Sequence, residues 1–468
     1  MQQKLLEDDD VEYASYRQRN NTTALLMLLL TTSCLLLFWT ACRGQKEVLL
    51  RTEAMRDDNI YNCDLQLVES IPIGLNYSAK SPKFLSTFDA WKLLLDKANK
   101  SLDLGSFYWS LRGEDVNCND SSAALGEEIF SRLLQNANNQ DNINIRIAQS
   151  EPSDISPNLD TKLLANYGAA KVVSINFPKY FGGGVLHTKL WIVDNQHFYL
   201  GSANMDWRSL TQVKELGVLA QNCPQLASDV AKIFKAYWYL GSDTNAPIPH
   251  KWPYEYSTNY NDQQPMHLNL NMAYAMNGYI SNSPPPLTAD GRTHDLDAII
   301  KTIENAMDFV YIAVMDYFPL IIYGPKQRFW PYIDNALREA AVERGVAIKM
   351  LISWWKHSDP SEDNFLRSLQ DLSMERKHVD IQVRRFIVPM DPDQARIPFG
   401  RVNHNKYMVT DRIAYIGTSN WSGDYFTDTA GIALVLKDTL ASAKNSLRQE
   451  LQNIFERDWN SPYAHKFS

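Results

Sequence analysis

The chain has 468 residues, 45% hydrophobic and 21% charged, with 12 Trp, 23 Tyr and a net charge of -8. Such a composition excludes a disordered chain and gives enough length for a large core and two to four ordinary domains. The acidic balance excludes a broad basic face, so any nucleic-acid substrate has to be held in a local basic cleft.

Residues 1–21 form a tail whose acidic stretch at 7–10 reads as solvated. From Thr22 to Cys42 no residue is charged, and as a helix this run spans about 31 Å, close to the thickness of a bilayer core. It is apolar on all sides and flanked by Arg17, Arg19 and Arg43, which argues against a core helix. It also exceeds the usual apolar core of a cleaved leader and lacks a small-x-small end, so the spacing predicts a signal anchor. Lys and Arg balance on its two sides and leave the orientation to be set by the downstream sequons. Residues 43–62 read as a polar stem, and beyond them Asn76, Asn99 and Asn119 open Asn-x-Ser glycosylation sequons. The expectation is a single-pass type II protein with its bulk in the lumen, anywhere from endoplasmic reticulum to lysosome, with release of a soluble lumenal form left open.

Of five cysteines, Cys34 and Cys42 belong to the anchor. Cys63, Cys118 and Cys223 lie beyond it, where an oxidising lumen predicts one pair and one leftover thiol, free or intermolecular. A homodimer is therefore admitted.

Three stretches repeat along the chain. The helix-then-strand pattern of "AWKLLLDKANKSLDLGSFYWSL" near residue 90 returns as "AIIKTIENAMDFVYIAVMDYFPL" near residue 298. "INIRIAQS" at 143 answers "VAIKMLIS" at 346, and "IFKAYW" at 233 answers "IFERDW" at 454. Strands alternating with helices predict parallel or mixed sheets in an α/β fold. The expected architecture is two similar α/β halves, 63–240 and 267–468, packed sheet to sheet and joined by a Pro-, Asn- and Tyr-rich connection at 241–266.

Each half carries His-x-Lys-x4-Asp followed by a Gly-[Ser/Thr]-x-Asn turn. The first copy is His187, Lys189 and Asp194, then Gly201, Ser202 and Asn204; the second is His404, Lys406 and Asp411, then Gly417, Ser419 and Asn420. In extended chain, residues i and i+2 share a face, so each His and Lys reach one site. A neutral imidazole can attack phosphorus, and a second, protonated one can hand its proton to the leaving oxygen. The lysines offer positive charge to the phosphoryl oxygens and the Asn amides offer hydrogen bonds. Such a site cleaves phosphodiesters without a cofactor, and nothing in the chain has the spacing of a metal-ligand set.

These motifs, with "SFYWSL", "RFWPYID", "ARIPFGRVNHNKYMVTD" and "GTSNWSGDYF", resemble the phospholipase D superfamily, and within it the animal endolysosomal 5′ exonucleases. The resemblance runs from about Cys63 to the C-terminus. It implies a 5′-to-3′ exonuclease on single-stranded DNA or RNA, with His187 as nucleophile and His404 as general acid. A phospholipid hydrolase or phosphatidyl transferase is the rival reading, since the same covalent chemistry serves it and the anchor makes lipid accessible. The resemblance further implies a Cys63–Cys223 bridge, leaving Cys118 over. It also gives Glu215, 28 residues after His187, the role of orienting a catalytic His, with Thr429 in the comparable place of the second half. Aromatics at 107–109 and Trp354-Trp355 read mainly as core, whereas "RFW" at 328–330 is loop-like and a candidate for base stacking. Gly182–Gly184 allow either close approach to a ligand or a plain loop.

Overall fold

The computed structural model describes residues 59–138, 143–324, 326–375, 378–439 and 445–467. The expected anchor at 22–42, the tail before it and nearly all of the stem lie outside these residues. Among the described residues no helix is long and apolar enough to cross a membrane.

The fold is mixed α/β, with one large sheet system built from two sets of strands. The first set comprises β1 (Ile60–Ser70), β2 (Ser101–Ser106), β3 (Asn144–Ser150), β4 (Lys171–Ile175), β5 (Leu190–Val193), β6 (His197–Gly201) and β7 (Glu215–Gln221). β2, β3 and β4 are parallel; on the other side of β2 the order β5, β6, β7, β1 is antiparallel throughout. The second set comprises β8 (Met266–Leu270), β9 (Tyr274–Ser283), β10 (Phe309–Val314), β11 (Ala347–Ser353), β12 (Ile381–Phe386), β13 (Lys406–Thr410), β14 (Ile413–Gly417) and β15 (Gly431–Asp438). Here β10, β11 and β12 are parallel, and the antiparallel run is β13, β14, β15, β9. β1 also pairs in parallel with β8, through Ile60–Cys63 and His267–Leu270. The first strand therefore starts inside the segment read as stem.

Parallel strands covered on both faces read as apolar runs, as in β11, where Ile348, Met350, Leu351 and Ile352 are all buried. Helix α1 (Thr87–Lys97) starts where the Ser86 hydroxyl accepts the Asp89 N–H at 3.0 Å, and it buries Ala90, Trp91 and Leu94 on one face. The two "IF…W" segments lie in α2 (Pro224–Ser242) and α3 (Leu447–Trp459). Each touches strands of both sets, and both enter one apolar cluster with Leu67, Leu200, Ile416 and Leu434. The sheets also meet directly, where β6 and β7 touch β14. Sheet-to-sheet packing is thus only part of the join, and the closing helices supply much of the rest. The connection at 241–266 is not open chain: Trp252 and Tyr256 are buried, with ring centroids 4.9 Å apart.

Buried charges at the join are paired. Lys214 and Asp458 lie 2.7 Å apart, Arg457 holds Glu69 at 2.7 Å, and Arg292 holds Asp229 at 2.8 Å. The Cys63–Cys223 bridge is formed, tying β1 to the start of α2, and Cys118 is unpaired and partly buried. Removing one partner of a buried pair strands the other charge. Asp458→Ala is therefore expected to destabilise the protein by roughly 3–5 kcal/mol, read as a lower urea midpoint. A change within error would show that Lys214 is solvated instead.

Candidate active site

Two short backbone exchanges pin the motif histidines where the strand sets meet. The His187 N–H donates to the Ala430 carbonyl and the Ala430 N–H to the Val185 carbonyl, both at 2.9 Å. Correspondingly, the His404 N–H donates to the Lys214 carbonyl at 2.8 Å and the Lys214 N–H to the Val402 carbonyl at 2.9 Å. The first contact leaves no room for a side chain at Gly184: with φ at +81°, a Cβ there would lie 2.0 Å from the Asp428 carbonyl oxygen. Gly184 thus serves an approach of backbone to backbone, while Gly182 and Gly183 leave space where a Cβ would stand.

The side chains cross the same boundary. His187 Nδ1 lies 2.8 Å from the Thr418 carbonyl, which can only accept, so Nδ1 carries the proton and Nε2 presents a lone pair. His404 Nδ1 lies 2.9 and 3.1 Å from the two Glu215 carboxylate oxygens, an arrangement that stabilises the imidazolium. Each ring is oriented by the other strand set, one by a carbonyl and one by a carboxylate.

Register explains the difference. The Ser202 N–H bonds the Leu216 carbonyl and the Thr418 N–H bonds the Ile432 carbonyl, so Glu215 corresponds to Gly431 and not to Thr429. A Cβ at Gly431 would lie 2.1 Å from Ser419 Oγ, which excludes an acid. Ser202 Oγ donates to Glu215 at 2.5 Å and accepts the Leu216 N–H, while Thr418 Oγ1 accepts the Ile432 N–H. Thr418 is the counterpart of Ser202; Ser419, expected in that role, has a buried hydroxyl without a hydrogen-bond partner.

Both histidines, Asn204, Asn420 and Glu215 line a cavity of about 600 Å³. Lys189 and Lys406 are buried beside them, their ammonium groups donating to the His187 and His404 carbonyls at 2.6 and 2.7 Å. The Asn420 amide donates to Asp316 at 3.0 Å, so a phosphate would have to draw it away; Asn204 donates to Tyr108 Oη at 3.4 Å. Asp316 is not singled out by the sequence and Tyr108 reads mainly as core with its neighbours, although matching the ends of β2 and β10 sets the two opposite each other, each two residues past its strand. Both line the cavity, as do Phe107, Trp109 and Trp355, which read as core. Tyr425 meets the His187 ring edge-on at 5.0 Å. "RFW" behaves otherwise: Phe329 is exposed on a small hairpin, Trp330 stacks on Phe426, and Tyr323 reaches the cavity instead.

The motif aspartates do not join the site. Asp194 accepts the N–H groups of Asn99, Lys100 and Ser101, and Asp411 those of Met307 and Asp308, so both tie the starts of strands. Asn76, Asn99 and Asn119 are exposed, as glycosylation acceptors must be, whereas Asn420 is buried in the cavity wall.

Residues 78–391 match a protein family described as "PLD3/4, PLD-like domain". The human 5′-3′ exonuclease PLD3 is 50% identical over 403 residues, covering 86% of this chain and 80% of the relative. The mouse 5′-3′ exonuclease PLD4 is 43% identical over 418 residues, covering 89% and 81%. Among solved structures, the phosphatidylserine synthase of Haemophilus influenzae has a TM-score of 0.52 at 14% identity, over 79% of this chain and 84% of that one, which is a likeness of fold.

Burial pushes His187 well below the ordinary imidazole range, and Lys189, Lys406 and His404 push it further. Burial also lowers His404, against the pull of Glu215. Lys406 is brought down to about 7, again by burial, and Asp316 is raised to about 6. A reaction needing neutral His187 and protonated His404 then keeps its base in acid and loses its acid as pH rises. kcat/KM is expected to peak below neutrality, with the two rings sharing macroscopic values. Glu215→Gln removes the charge that holds the His404 proton, so the alkaline limb is expected to move to lower pH. Activity at pH 7 then falls by about 10²-fold or more, and an unshifted limb would separate Glu215 from the acid. By contrast, Asp194→Ala is expected to cost about 1–3 kcal/mol in thermal unfolding and to leave the pH profile in place.

Proposed function

The chain belongs to the family of PLD3/4-type phospholipase-D-like proteins, and on that footing we propose that it is a 5′-to-3′ exonuclease of single-stranded DNA and RNA. The observation that carries the mechanism is the unequal anchoring of the two rings: a carbonyl behind His187 and a carboxylate behind His404. His187 Nε2 attacks the first bridging phosphorus, an N–P bond forms, and the P–O5′ bond breaks as His404 protonates O5′. Water, deprotonated by His404, then cleaves the N–P bond and restores both rings. The released nucleotide carries a 3′-phosphate. Lys189 and Lys406 balance the charge on the phosphoryl oxygens.

The finer architecture belongs to the same reading. The two strand sets are two phospholipase-D-type halves of one bilobal catalytic unit, supported by their repeated strand order and paired backbone exchanges. Residues 22–42 anchor the chain as a type II protein of the endosome or lysosome, supported by the uncharged run and three exposed sequons beyond it.

Linear and circular forms of one oligonucleotide give the direct test. Mononucleotides released stepwise from the linear 5′ end, with the circle spared, are expected; equal loss of both would indicate an endonuclease, and loss of neither would favour the phospholipid reading. Acid quenching is expected to trap phosphate on a His187 peptide. With charge supplied by lysines, EDTA is expected to leave activity intact, and a loss restored by a divalent ion would refute this route.

A further inference from the structure

The segment leading into His404 contains a backbone irregularity that the chemical steps do not use. Phe399 has φ +55° and Arg401 φ +58°, a left-handed backbone that strains any residue with a Cβ. Phe399 is nevertheless 55% exposed. It stacks on His357 at 4.8 Å and 22°, and Trp355 meets His357 edge-on at 4.8 Å. Polar groups hold the segment from below: Arg208 Nη1 donates to the Pro398 carbonyl at 2.5 Å, and the Arg401 N–H to the Gln212 carbonyl at 3.1 Å. Arg401 Nε and Nη1 donate to the Pro389 and Ile73 carbonyls at 3.0 and 2.9 Å. The strained conformation is thus fastened in place with its ring outward.

Trp355, Pro398 and Phe399 line the catalytic cavity and also a second one of about 290 Å³, whose wall includes Lys356 and Arg396. Arg396 is paired with Asp393, while the Lys356 side chain is open to an anion. The catalytic geometry decides which part of a substrate lies there. In-line displacement sets the leaving oxygen opposite His187 and facing the acid. The leaving strand therefore departs on the side of His404, and Phe399 stands five residues before it in the same segment.

We propose that Phe399, backed by His357, is a stacking platform for the base of the second nucleotide, the one whose O5′ departs. The proposal rests on the exonuclease reading. Every base has a π-face, so such a platform grips any sequence while rejecting a paired base. It makes a two-nucleotide 5′ end the recognised unit, and the base that departs in one cycle becomes the terminal base of the next.

The full chain can be tested with two single strands of one sequence, the second carrying an abasic residue at position 2 from the 5′ end. Wild type is expected to cleave the first bond of the abasic strand with kcat/KM lower by roughly 5- to 150-fold. Phe399→Ala is expected to lose a similar factor on the intact strand and nothing further on the abasic one, whereas Phe399→Trp retains wild-type preference. Phe399→Gly, which relieves the left-handed strain, is expected to melt at the same or a higher temperature with the same loss of preference. Equal losses by Phe399→Ala on both strands would reduce the residue to a structural role, and no loss on either would remove the platform. Failure of wild type to cut either strand would sink the exonuclease reading, and the platform with it.

Discussion

The site depends on how closely two lengths of backbone approach each other. His187 and His404 each donate one of a pair of backbone hydrogen bonds made with the other strand set, so neither ring can be placed until both sets have folded and met. Gly184 on one side and Gly431 on the other mark how little space that meeting leaves. The buried pairs Lys214–Asp458 and Arg457–Glu69 lie at the same join, where an error in register would leave charges unpaired in an apolar surround. Register, charge pairing and catalytic geometry are therefore specified together.

That shared boundary also divides the labour between two nearly identical motifs. Both rings are buried, and burial alone would make both of them bases. Glu215 breaks the tie by favouring a proton on His404, since the two lysines disfavour a proton on both rings. The buried ammonium groups and Asp316 have ordinary charge states that burial opposes, which leaves a concentrated electrostatic field waiting for a phosphodiester anion.

Much of this was legible in the chain because the signals are local and doubled. Two His-x-Lys pairs, the Asn turns, Glu215 and the strand–helix alternation each show themselves as spacing. What escaped depends on pairing between distant segments. Thr418 and Gly431 take their roles from the β14–β15 register, two residues away from the place where counting along the second half had set Thr429. Tyr108 and Asp316 lie just past the last residues of parallel strands, and periodicity does not say which strand end opens on a cavity. The motif aspartates misled in the opposite direction, since their regular spacing reflects a turn whose N–H groups need an acceptor.

The carbonyl behind His187 has a consequence for tolerance to mutation. His404 is oriented by a side chain, so a single codon change at position 215 removes its partner. His187 is oriented by the main chain of Thr418, and no substitution at that position deletes a carbonyl. Inherited loss of function is therefore distributed unevenly around the two rings. On the acid side it concentrates at one charged residue. On the nucleophile side it falls on positions that shift the backbone itself, such as Gly431, where any side chain would collide with Ser419.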